Sequence, residues 1–257
     1  MSKSNLFDTN CVILLHCVKL SLKNTKTLLT LPNYCCMTIR NAYISAGREL
    51  VVATLALIPA FVWLFYQNEI PRQVPMQFNL QGDVTRLGPS WQLPLIGMGF
   101  YLVLLLLPQF RYAQQPETFP FQLIYRFRVA LHLLFAFVTL DLYFGAASGR
   151  EDVFAYIFAG VLLFMAFIGY HLRSLEPNGA FGIRTPWAMQ NSVNWLATHT
   201  MASFLWVGLG VAGAGLVIYH RTFQDAFFTL LTFLGGMLLL PVGYSYVLHR
   251  REQAQGV

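Results

Sequence analysis

The feature that most constrains this chain is a series of apolar runs, each close to the thickness of a bilayer. They cover residues 50–66, 93–110, 129–147, 153–170, 201–219 and 226–248. A membrane offers no water to the backbone, so a spanning segment must satisfy its own N–H and C=O groups, as a helix or in a closed barrel. Spanning strands need only about 9–11 residues, whereas a helix needs about 20. The runs have helical length. Charged residues make up 11% of the chain, against about a quarter in a soluble domain. The expected fold class is therefore an all-α polytopic membrane bundle of six transmembrane helices. The expected domains are an N-terminal extension, 1–36, and a six-span membrane domain, 37–257.

The extension is rich in Lys, Asn, Ser and Thr, and its one apolar patch, 11–18, is too short to span and lacks a small-residue cleavage site. It reads as a disordered basic tail, or as a stretch upstream of a true start at Met37. All four cysteines, Cys11, Cys17, Cys35 and Cys36, lie here. They form no C-x-x-C pair and have no histidine cluster beside them, which predicts neither a disulfide framework nor a zinc site.

The net charge of +6 points to topology, not to nucleic acid. Alternate loops carry the excess of Lys and Arg: the N-terminal segment, then Arg111, Arg126 and Arg128, then Arg173 and Arg184, then Arg250 and Arg251. The positive-inside rule places these loops and both termini in the cytoplasm. The loop 67–92 then faces outward. Met76–Asn79 and Val84–Arg86 can pair as a small hairpin around Gln81-Gly82-Asp83.

The most informative loop precedes the fifth run and reads N-G-A-F-G-I-R-T-P-W-A-M-Q-N-S-V-N-W from Asn178 to Trp195. Thr185 is a good N-cap, and Pro186 at the first helical position gives up no needed N–H. The pattern predicts a short interfacial helix, free to run unbroken into the fifth span. It would carry Trp187, Asn191, Trp195 and His199 on one stripe, with Gln190, Asn194 and Thr198 on a second stripe beside it. Trp187 and Trp195 are expected at headgroup depth as anchors.

Pro177, Asn178, Gly182, Ile183, Arg184, Thr185, Pro186 and Trp187, followed by Trp195, Thr198 and His199, resemble the signature of the SdpI-like membrane proteins, here within 177–203. Upstream, Pro71, Pro75, Phe78, Asn79 and Gly82 are similar to a second segment of that family, with Gln77 in place of a histidine. Thr200, Ser203 and Glu176 also depart from the usual pattern, where a basic residue, a glycine and a lysine are common. The resemblance implies an immunity protein of the bacterial inner membrane that protects against a secreted membrane-active peptide and that can also hold a transcriptional repressor at the membrane. On that basis the expected partners are membrane lipids, a peptide toxin outside and a repressor inside, with no direct contact to nucleic acid. Asn178, Gly182, Arg184, Thr185, Trp187, Trp195 and His199 are the candidate inner partner site. Pro75, Phe78, Asn79 and Gly82 are the candidate toxin site, with Phe78 and Asn79 exposed beside the turn.

Two intramembrane polar residues stand apart from this signature. Asp141 is the one carboxylate well inside a run, near enough to the outer end to pair with Arg72, Arg86 or Arg150. His132 is nine residues away, half a turn out of phase, so the two do not form a catalytic pair. A transporter or channel would use them as a polar path. A membrane enzyme would bring Asp141, His171 and His199 together. No H-E-x-x-H, G-x-S-x-G or phosphate-binding glycine loop occurs, so the expectation is a non-enzymatic protein with no catalytic residue, metal or cofactor. The small residues Gly208, Ala212, Gly210 and Ala214 are expected to let the fifth helix pack closely within the bundle.

Overall fold

The computed structural model describes residues 31–114, 121–149, 153–178, 181–220 and 222–254. Its elements, in order, are α1 (Leu31–Phe65), β1 (Gln73–Phe78), β2 (Val84–Pro89), α2 (Gln92–Gln114), α3 (Phe121–Ser148), α4 (Val153–Leu172), α5 (Pro186–Gln190), α6 (Ser192–Tyr219) and α7 (Phe223–Ala254). The chain divides into two compact units, Met1–Val51 and Val52–Val257. In the first unit the described part is the leading portion of α1. That portion includes residues 31–36, the last six of the expected N-terminal extension, which are helical and continuous with the helix that follows Met37. Cys11 and Cys17 lie outside the described residues.

The protein is a multi-pass helical membrane protein. Among the described residues, five helices are long and apolar enough to cross a bilayer: Gly47–Phe65, Leu123–Ser148, Val153–Leu172, Ser192–Tyr219 and Phe223–Ala254. The remaining expected span falls in α2, whose described apolar part is the shorter Gln92–Leu106. Large apolar side chains point outward along the helices. Phe204 is 68% exposed and Leu239 67%. A soluble monomer rarely exposes a continuous apolar surface of this kind, and a bilayer removes the penalty.

The second unit has its densest core where α6 lies along α4 and α7 along α6, around Ala159, Leu162, Ala214, Val217, Leu230 and Met237. Small residues allow this approach. A Cβ on Gly210 would stand 2.6 Å from the Leu162 carbonyl oxygen, and one on Gly169 would stand 2.4 Å from the Trp206 Cβ. Of the two expected small-residue faces, Gly210–Ala214 packs inside the bundle, whereas a Cβ on Gly208 would meet open space. Pro241 sits inside α7 and has no N–H to give the carbonyl four residues earlier, that of Met237. The Trp206 indole N–H of α6 donates to that oxygen at 2.6 Å, so a neighbouring helix supplies the bond that the proline removes.

The expected hairpin forms. β1 and β2 pair antiparallel from Gln73↔Pro89 to Phe78↔Val84, with an irregularity between Pro75 and Phe78. Asn79 shapes the turn: its Oδ1 accepts from the N–H of Gln81 at 3.0 Å and of Asp83 at 2.8 Å, and its amide donates to the Asp83 carboxylate. The base of the hairpin is tied to the bundle. Tyr143 donates to the Ser90 carbonyl at 2.8 Å, and the Trp63 indole donates to Ser90 Oγ. The tip is tied as well. Phe78 meets Phe154 edge-on at 4.2 Å, and Phe154 meets Phe223 at 4.7 Å. The hairpin thus covers the ends where α4 and α7 begin.

Candidate functional site at the signature loop

The opposite end of the bundle is closed by the loop between α4 and α6. Asn178 starts it with a local turn, accepting from the Phe181 N–H at 2.8 Å and donating to the Glu176 carbonyl. Gly182 then takes φ +115. A Cβ there would lie 2.5 Å from His199 Nε2 and 2.9 Å from the Trp195 ring, so this position needs glycine for its backbone angle and for the space above it. The next residue, Ile183, donates its N–H to His199 Nε2 at 2.9 Å. That nitrogen is therefore the acceptor of the ring, and Nδ1 carries the hydrogen given to the Trp195 carbonyl at 2.8 Å.

His199 stacks on Trp195 with centroids 4.0 Å apart. Trp195 is 1% exposed and donates its indole N–H to the Leu175 carbonyl at 2.7 Å. This corrects the expectation of an interfacial anchor: Trp195 is a core residue that ties the end of α4 to α6. The aromatic stripe is also divided. Asn191 is extended, φ −132 and ψ 114, and caps α6 by accepting from the N–H groups of Val193 and Asn194. The helix from Pro186 therefore stops at Gln190 instead of running into the span. An asparagine side chain that satisfies two N–H groups offers the backbone an alternative to continuing the helix. Before the break, on α5, Trp187 is half-buried against Tyr246 and His249 of α7.

The second stripe is split too. Gln190 is exposed, while Asn194 and Thr198 are fully buried. They belong to a polar network that joins the loop, α6 and α7. Thr185 caps α5, its Oγ1 accepting from the Ala188 N–H. Ser245 Oγ donates to Asn194 Oδ1 at 2.6 Å, Thr198 Oγ1 donates to the same oxygen at 3.1 Å, and Asn194 Nδ2 returns a bond to the Ser245 carbonyl. Since the Ser245 proton is used, Thr185 is the donor in its 3.0 Å contact with Ser245 Oγ. Ser245 was not singled out in the sequence. Its only signal there is that it is the one serine in the apolar run 226–248. Arg184 is the exposed charged residue of the signature, and it forms no ion pair with Glu176 among the described residues.

Residues 174–245 match the SdpI/YfhL protein family. The matched segment runs from the loop through α5 and α6 to Ser245 itself, which is less than half of the chain. No curated protein and no solved structure matches. The SdpI-type segment coincides with the locked cap and with the two helices it joins.

The remaining candidates lie elsewhere. His132 is buried on α3, bonded to the Arg128 carbonyl at 2.6 Å and edge-on to Tyr101 of α2 at 5.9 Å, a packing position between helices. Asp141 is near the hairpin end, two residues before Tyr143. His171 interacts electrostatically with Arg126, which is fifteen residues from Asp141 on α3, or about 22 Å along the helix. His199 has both nitrogens committed to the cap. The three residues of the enzyme alternative therefore do not converge. At the hairpin, Phe78 is half-buried instead of exposed, and Asn79 is spent on the turn. Gly82, at φ +93, lies against Phe223. The exposed large apolar residues there are Leu80 (65%), Val84 (47%) and Leu87 (53%).

Proposed function

We propose that this SdpI-type membrane protein is a non-enzymatic immunity protein of the bacterial inner membrane, with both termini and the signature loop in the cytoplasm and the hairpin outside. The observation that carries the reading is the family match over 174–245, which falls on one structural unit: a loop locked onto α6 and α7 with Arg184 left projecting. The charge asymmetry of the loops supports the orientation. A secreted membrane-active peptide meets the hairpin first, and Leu80, Val84 and Leu87 offer it apolar surface. Pro75, Phe78, Asn79 and Gly82 hold the shape of that surface.

A repressor held at the membrane would meet the cap. There Gly182, Thr185, Trp195 and His199 act by fixing the loop, and Asn178 by starting it. Arg184 contacts the partner, with Trp187 and His249 beside the cap. A planar guanidinium suits a carboxylate or phosphate in two places at once. The test is challenge of cells with the peptide, with and without this protein. Survival of the producing cells alone supports immunity, and equal survival overturns it.

A further inference from the structure

A groove of about 540 Å³ runs between α3 and α4, within the size range of ligand pockets, about 300–1,000 Å³. Ala130, Leu133 and Phe137 form one wall, and Gly160, Leu163 and Phe167 the other. Their spacing, i, i+3 and i+7 on both helices, keeps each set on one face. Leu133 and Leu163 are each 50% exposed and Phe137 is 42% exposed, so the groove opens sideways, where lipid lies. Gly160 makes the room. A Cβ there would come within 3.1 Å of Phe137 and 3.2 Å of Leu134. At the signature-loop end the lining changes character and ends on exposed Arg126, which pairs with no carboxylate among the described residues.

From Arg126 to Phe137 is eleven residues of helix, about 16 Å. That is the depth of one leaflet of a hydrocarbon core of about 30 Å. The groove therefore has a cation at headgroup level and an apolar slot that reaches the middle of the membrane. We propose that it is a binding site for one anionic phospholipid of the inner leaflet, with an acyl chain between α3 and α4 and the phosphate on Arg126. A secreted peptide arrives from the other face, and a zwitterionic lipid brings its own ammonium beside its phosphate, so a net-anionic headgroup is favoured next to the guanidinium. The inference depends on the orientation given above and is independent of the immunity function.

The test is native mass spectrometry of the full chain in non-ionic detergent, titrated with phosphatidylglycerol and phosphatidylcholine of equal chain length. Phosphatidylglycerol should be retained preferentially. Arg126→Gln should reduce that preference roughly fivefold, the equivalent of ~1 kcal/mol for one basic residue at an anionic surface. Arg173→Gln removes an exposed charge outside the groove and should leave the preference in place. Gly160→Leu should lower retention of both lipids. If thermal melting shows that variant misfolded, Ala130→Leu fills the slot from the other wall and decides. An unchanged preference in Arg126→Gln, an equal loss in Arg173→Gln, or full retention in the filled groove overturns the proposal. Cysteine labelling from each side of the membrane tests the orientation separately, and peptide challenge tests immunity separately.

Discussion

Gly182→Ala is the most revealing single change in the cap. The added methyl group meets two independent obstacles. The backbone at φ +115 is a conformation that costs an L-residue about 1–3 kcal/mol. The methyl would also stand 2.5 Å from His199 Nε2 and 2.9 Å from Trp195. Neither ring can retreat cheaply, since the Trp195 indole is held by Leu175 O and His199 by Trp195 O. The loop must lift, at an overpacking cost of about 1–3 kcal/mol. Lifting breaks the Ile183 N–H to His199 bond, worth about 1 kcal/mol. The sum is roughly 3–5 kcal/mol, because the terms share one relaxation and do not fully add. A reversible unfolding titration in detergent reads it. The same substitution made in a His199→Ala background should cost clearly less, because part of the clash is gone. If Gly182→Ala is within 1 kcal/mol of wild type, or costs the same in both backgrounds, the glycine does not lie over the stack as described.

Arg184→Lys should impair capture of a repressor partner while leaving the melting temperature in place, since Arg184 is exposed. Thr185→Ala should lower that temperature and every loop function with it, by about 1 kcal/mol for the cap plus the lost bond to Ser245. Equal melting losses in the two would make Arg184 a structural residue. Trp206→Phe should cost about 1–3 kcal/mol by leaving the buried Met237 carbonyl without a donor, and adding Pro241→Ala should recover part of it by restoring a helical N–H. An unfolding titration showing no loss in Trp206→Phe would refute that account. At the hairpin, Leu80→Ser with Leu87→Ser should reduce protection against the peptide at unchanged membrane abundance, whereas Phe78→Ala should lower thermal stability through its contact with Phe154. Full protection by the leucine double variant would move peptide recognition away from this surface.

Several readings were legible because they depend on neighbours in the chain. The helix caps are an example. Thr185-Pro186 starts α5 as its sequence dictates, and the Asn79–Asp83 turn closes the hairpin with bonds that span four residues at most. The stripe through Trp187, Asn191, Trp195 and His199 failed for a related reason. It assumed an unbroken helical period, and the Asn191 side chain takes up the N–H groups that start a new helix. The signature itself was recognisable, but the reason for its letters was not. Gly182 and His199 are seventeen residues apart, and only the fold places one over the other.

The sequence by itself determined that this is a membrane protein of apolar helices, where its hairpin lies and where its signature helix begins. Those outcomes follow from run length, turn chemistry and capping, which are local. Only the tertiary structure decided that Trp195 is core instead of anchor, that Ser245 completes the network around Asn194, and that Trp206 supplies the bond missing at Pro241. Each of these joins a donor to an acceptor on a different helix, or buries a ring against one. In a bundle whose helices all present similar apolar faces, hydropathy does not distinguish one facing from another. Small residues such as Gly210 and Gly169 set how close α4 and α6 approach, and the polar partners that come into reach are a consequence of that packing.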